Sequence, residues 1–220
     1  MLSWCAVGSF LAAAGVALRW TRRRRDGLGR ARPFPYVSVI VLAVAGAGAL
    51  VPVVRHARLE GELSRVATRL VGVPATVHCQ TVGEELVSTD QDLGFVRSGP
   101  DGRPEHRTTI MREPCDALGH YLGSDHARPS EDEVQAVHVL SHEARHMAGE
   151  TSEARAECQA MQRDAATARL LGADDAQARR LGRYYWMVEY PRMPEGYRDG
   201  ACAPDGPWDE HLPDAPWAAP

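Results

Sequence analysis

The segment His142-Glu143-Ala144-Arg145-His146 sets two imidazoles four residues apart, with a carboxylate beside the first. On an α-helix four residues turn through about 400 degrees, so both rings stand on one face, one turn apart. Two neutral ring nitrogens can then reach one zinc ion at about 2 Å. Glu143 is turned about 100 degrees from His142, within reach of water that such an ion acidifies. The spacing therefore supplies two metal ligands, His142 and His146, and a general base, Glu143, for hydrolysis. Catalytic zinc takes a third protein ligand and leaves one position open. The next segment, Glu153-Ala154-Arg155-Ala156-Glu157, carries two acids on one helical face. Glu153 is expected to complete the metal triad, with Glu157 as its rival. In the preferred assignment Glu157 accepts the other ring proton of a ligand histidine and fixes its tautomer.

These residues need two helices and a tight reversal between them. Ser130 and Glu133 have the spacing of a capping box, which starts the first helix. Val134, Val137, Leu140 and Ala144 form its apolar stripe, and Gly149 suits its end. A second helix is expected from about Ser152 to Leu171, folded back antiparallel across Met147–Ser152. A third is expected from about Asp175 to Tyr190, stopped by Pro191. Upstream, Ala75–Cys79, Leu93–Arg97 and Arg107–Met111 are short, strand-like and separated by Gly, Pro and Asp, which predicts a small sheet. Leu59, Leu63, Val66 and Leu70 recur at helical spacing and predict a helix over Pro52–Gly72. His138, one turn before His142, reads as a core or rim residue. Tyr184, Tyr185 and Trp186 read as core packing, while Glu189 and Asp209 read as surface acids. No residue stands out as a stabiliser of an oxyanion; Tyr184, Tyr185 and His211 qualify by type alone.

His142-Glu143-x-x-His146 followed by Glu153-Ala154-x-x-Glu157 resembles the gluzincin family of HExxH zinc metallopeptidases. The stretch from His142 through Gln162 is also similar to small membrane-anchored actinobacterial proteins. The family resemblance implies an α+β, zincin-like domain, with a small sheet packed on the HExxH helix and an antiparallel helix after it. It also implies a Zn2+ cofactor and a peptide or protein substrate. The chain departs from the family pattern in the short interval between His146 and Glu153 and in the charged Arg145.

The chain has 220 residues and a net charge of −4, which gives no footprint for nucleic-acid binding. It contains arginine but no lysine. Leu2–Leu18 and Tyr36–Val54 are apolar and flank an arginine-rich stretch. About 20 apolar residues span a bilayer, and basic loops stay inside, so the domain after Arg55 is expected outside the cell membrane. A cleaved signal sequence with a site near Ala45–Ala49 is the competing reading, and it leads to the same compartment. The expected organisation is an anchor over 1–55, a zincin-like metal-binding domain over 56–190 and a Pro-rich tail over 191–220 packed on the domain. Cys79, Cys115, Cys158 and Cys202 suit disulfides in an oxidising compartment. Of three pairings, Cys79–Cys115 with Cys158–Cys202 is preferred, each bond lying within its own half. The expectation is a membrane-anchored extracytoplasmic zinc peptidase. The alternative is a non-catalytic exported zinc-binding module or a degenerate zincin-like fold.

Overall fold

A computed structural model describes residues 2–25, 29–86 and 93–218. The chain forms two compact units, residues 1–59 and 60–220. In the first, α1 (Leu2–Arg22) lies beside the start of α2 (Tyr36–Val71), close enough that a Cβ on Gly46 would meet the Phe10 ring at 3.1 Å. Both helices are long and apolar enough to cross a membrane. Apolar side chains such as Val37, Val41 and Val44 have little cover from protein. The apolar segment Tyr36–Val54 and the helix expected over Pro52–Gly72 are one continuous helix of 36 residues, running through Pro52.

The second unit is α+β, built on a three-stranded sheet in the order β1 (Thr76–Cys79), β3 (Pro104–Ile110), β2 (Gly94–Ser98). β1 runs parallel to β3, and β2 runs antiparallel to it. The outer edge of β1 meets the polar stripe of α2. Cys79 N donates to Glu60 Oε1 at 2.9 Å, Val77 N to Ser64 Oγ at 2.9 Å, and Ala75 N to Thr68 Oγ1 at 3.0 Å. Four helical residues rise about 6.0 Å and two strand residues about 6.6 Å, so the two repeats stay in step over this short run. Helix side chains thus stand where another strand would pair. On the other face of the same helix, Leu63, Val66 and Ala67 enter the core.

After β3 the chain forms α4 (Arg112–Gly123), α5 (Glu131–Met147), α6 (Glu153–Met161), α7 (Asp164–Leu170) and α8 (Asp175–Tyr184); a short α3 (Val82–Glu85) precedes β2. Pro114 and Gly119 interrupt any periodicity in α4, but Pro114 sits in the first turn, where its missing N–H costs nothing. The single helix expected over Ser152–Leu171 is two, broken between Met161 and Asp164. Tertiary bonds at the break outweigh local helix propensity: Gln162 holds Trp208 O and Glu210 N of the tail, and Asp164 turns inward to His138. The third helix ends at Tyr184 and passes through a π-helical turn (Tyr185–Glu189) into a 3-10 turn. Glu189 and Asp209 are not surface acids: Glu189 is buried against Gln135, and Asp209 is enclosed by Asp205 N, His211 N and Trp217 Nε1.

The cysteine pairs are Cys79–Cys115, which ties β1 to α4, and Cys158–Cys202, which ties α6 to the tail; their Cα separations are 5.8 and 5.6 Å. The tail over 191–218 is a series of turns fastened to the break between α6 and α7 by Arg163–Glu210 and to α7 by Arg169–Asp214.

The α2 stripe yields a stability prediction. Ser64→Ala removes the acceptor of a strand N–H and is expected to cost about 1–3 kcal/mol. Denaturant unfolding of the purified chain against wild type measures it, and an unchanged midpoint would show that the bond to Val77 carries no weight.

Candidate metal centre

α5 carries the HExxH. Ser130 Oγ accepts from Glu133 N, and Glu133 Oε2 accepts from Ser130 N at 2.7 Å, closing the capping box expected there. Acids occupy the first turn, and Arg145 and His146 the last, in accord with the helix dipole. At the C-terminus Gly149 N donates to His146 O and Glu150 N to Arg145 O. That pair of bonds is a Schellman motif, and its turning residue needs positive φ, which Gly149 supplies at 105°. Ser152 then caps α6, which packs on α5.

The reversal brings three atoms together. His142 Nε2 and His146 Nε2 lie 2.9 Å apart, and Glu153 Oε2 is 3.2 Å from the first and 3.3 Å from the second. The opposite ring nitrogens are already committed. His146 Nδ1 donates to the Glu150 carbonyl at 2.8 Å, and His142 Nδ1 faces Glu157 Oε2 at 3.1 Å. A carbonyl only accepts, so Nδ1 of His146 bears the proton and its Nε2 presents a lone pair. The same holds for His142 against the Glu157 carboxylate. When both rings are neutral, two lone pairs and a carboxylate oxygen point at one another, and when His142 is charged a proton on its Nε2, donated to Glu153, fills the same place. Ligand atoms on tetrahedral zinc, at bonds of about 2.0–2.1 Å, stand about 3.3 Å apart, so the donor set fits a small divalent cation. The cluster attracts positive charge in any form. Burial works against a charged His142, yet its contacts with Glu153 and Glu157 hold its pKa up at about 9. The His142 contact likewise holds Glu153 below the usual carboxylate range.

Behind the trio lies a buried chain of charge. Glu157 Oε2 also meets His138 Nε2 at 2.9 Å, and Glu157 Oε1 accepts from the Tyr185 hydroxyl at 2.7 Å. His138 Nδ1 faces Asp164 Oδ2 at 2.9 Å, and the His138 ring stacks on Tyr185 at 3.6 Å between centroids. Both nitrogens of His138 look at carboxylates. Burial opposes its charge, but Asp164 and Glu157 outweigh that and raise its pKa to about 10.

Glu143 faces the sheet. Its Oε2 lies 3.1 Å from Thr108 Oγ1 on β3, whose hydroxyl also stands 3.0 Å from Phe95 O. One hydroxyl proton serves one acceptor at a time, so Thr108 can donate to an ionised Glu143 or accept from a protonated one. Burial pushes the Glu143 pKa up. Gly94 on β2 leaves room for this side chain, since a Cβ there would lie 2.9 Å from Glu143 Oε1.

The structure thus brings His142, His146 and Glu153 to one point, sets Glu157 on the far side of the His142 ring, and places Glu143 under the sheet. His138 and Asp164, outside the sequence-derived site, belong to the buried chain; the one-turn spacing of His138 from His142 was the available signal. Of the residues considered for oxyanion stabilisation, none joins the trio. Tyr185 is taken by Glu157, Tyr184 lines a separate groove with His126 and Pro129, and His211 pairs with Asp209 in the tail. Tyr197, from a 3-10 turn of the tail, instead sets its ring 6.0 Å from that of His142. No protein-family model, curated protein or solved structure matches this chain.

Two outcomes follow. Gly94→Ala is expected to displace Glu143 and lower any Glu143-dependent turnover by roughly 10-fold or more, with metal stoichiometry unchanged by atomic absorption. The pH dependence has a definite sign. The folded pKa of His138, about 10, stands above its ordinary 6.5. Its proton therefore stabilises the fold fully below pH ~6.5 and progressively less as pH rises toward ~10. Chelator-treated protein should unfold at lower urea as pH is raised from 7 to 10, and a flat profile would contradict a protonated His138.

Proposed function

We propose that the chain is a membrane-anchored, extracytoplasmic zinc peptidase of the gluzincin kind. The observation that carries this reading is the convergence of His142 Nε2, His146 Nε2 and Glu153 Oε2, with Glu143 held beside them under the sheet. His142, His146 and Glu153 would hold the ion. Zn2+ bound there would supply Lewis-acid polarisation of a carbonyl and lower the pKa of water toward 7.

The protein's own groups supply the rest. Glu143 takes the proton of the attacking water and delivers it to the departing amine, and Thr108 serves both protonation states. A pKa raised by burial suits a carboxylate that must accept and return a proton near neutrality. Glu157 fixes the His142 ring, and the Glu150 carbonyl fixes His146. Among the described residues β2 is an edge strand, and it lies against α5 through Gly94. An extended peptide can pair with such an edge and cross the metal centre. The two apolar helices and the two disulfides favour a domain held on the outer side of a membrane.

The test is metal content together with cleavage of a peptide library by wild type and Glu143→Gln. About one zinc per chain is expected in both proteins. Turnover should fall by roughly 10²–10⁴-fold in the variant. Zinc retained without Glu143-dependent cleavage would leave a non-catalytic zinc-binding module, and zinc near zero would leave a degenerate fold.

A further inference from the structure

Charge is divided unevenly along this chain. Residues 1–59 contain nine arginines and a single acid, Asp26, although the whole chain carries −4. Seven of those arginines fall between positions 19 and 32, and every one is exposed. Arg19 and Arg22 lie in the last turn of α1, and the other five fall between α1 and α2. The turn is closed by backbone and side-chain bonds. Arg32 N donates to Arg24 O at 2.8 Å, Arg25 and Ala31 form an antiparallel bridge, and Trp20 Nε1 donates to Arg32 O at 3.1 Å.

Three aromatic rings stand at the same end of the helical hairpin. Trp20 meets Phe34 edge-on at 5.0 Å, and Phe34 meets Tyr36 at 4.7 Å. The Arg24 guanidinium sits 5.2 Å from the centre of the Trp20 ring. Trp and Tyr collect where hydrocarbon gives way to headgroups. A belt of this kind at the mouths of two apolar helices fixes the depth of the arginines at the phosphate level. Guanidinium groups bind phosphate oxygens through paired N–H donors, and basic clusters next to a membrane span respond to anionic lipid. A soluble acidic partner would use the arginines but would leave the aromatic trio at the helix ends unexplained.

We propose that Arg23, Arg24, Arg25, Arg30 and Arg32, between α1 and α2, form a binding site for the headgroups of anionic phospholipids in the leaflet that they face. The site rests on the membrane reading of the two helices and is independent of the metal chemistry. Arg24, held against Trp20, and the neighbouring Arg23 and Arg25 form one side of it. Arg30 and Arg32 form the other.

The test uses the full chain in detergent micelles, offered phosphatidylglycerol and phosphatidylcholine in equal amounts, with retained lipid counted by native mass spectrometry. Wild type is expected to retain phosphatidylglycerol over phosphatidylcholine by about tenfold or more, less so in high salt. A variant carrying Arg22→Gln, Arg23→Gln, Arg24→Gln and Arg25→Gln should lose most of that preference. Its far-ultraviolet circular dichroism and metal content should match wild type. Equal retention of the two lipids by wild type would overturn the proposal, as would an unchanged preference in the variant. Displacement of phosphatidylglycerol by poly-glutamate at equal concentration would overturn it in favour of a soluble acidic partner. Release of the wild-type chain from native membranes by alkaline carbonate would remove its membrane premise without touching the metal reading.

Discussion

The candidate metal centre depends on one buried carboxylate. Glu157 is almost wholly inaccessible, yet both of its oxygens are engaged: one by the Tyr185 hydroxyl, the other by His138 and His142. Burying an ionised carboxylate is costly unless donors replace its water. Here three do, and His138 brings opposite charge as well. The neighbouring His138 charge keeps Glu157 ionised well below the usual carboxylate range, although burial pushes the other way. An acceptor of that strength orients the His142 ring, and with it the lone pair turned toward His146 and Glu153. It also locks the middle of α6 against the middle of α5 and the first turn after α8. Packing and chemistry share this group.

The second support is the sheet. Thr108 on β3 and Gly94 on β2 reach Glu143 from adjacent strands, one through a hydroxyl and the other through the absence of a side chain. The carboxylate is therefore held by elements far from it in sequence, while the histidines are held by the helix that bears them and the turn that follows. Two kinds of positioning meet at one point: local geometry for His142 and His146, long-range packing for Glu143.

That division explains what the sequence revealed. His142 and His146 were legible because a four-residue spacing has one geometric meaning on a helix. The Ser130–Glu133 box and Gly149 were legible for the same reason, being local devices. Glu153 and Glu157 could be read from their spacing once a tight reversal was assumed at Gly149. The three strands were found to within a few residues of their ends, and Cys79, Cys115, Cys158 and Cys202 pair as preferred. What escaped was decided by tertiary contact. No local signal splits the helix at Gln162, because the cause is a tail segment about 46 residues further on. The depth of His138 and Asp164 depends on Tyr185 and Glu157 closing over them. Arg145, odd at its position in the motif, is explained by the carbonyl of Leu70, which accepts from its guanidinium at 2.5 Å.

The polar stripe of α2 belongs to the second unit. Glu60, Ser64 and Thr68 are at once the final turns of a helix that begins in apolar sequence and the lining of an otherwise bare strand edge. Proteolytic shedding upstream of Glu60 would spare every one of those bonds and liberate an intact globule. A cut beyond Thr68 would strip the lining and bare a row of amides of the kind that seeds aggregation. The second unit thus begins at the residue that makes the first of these bonds, Glu60.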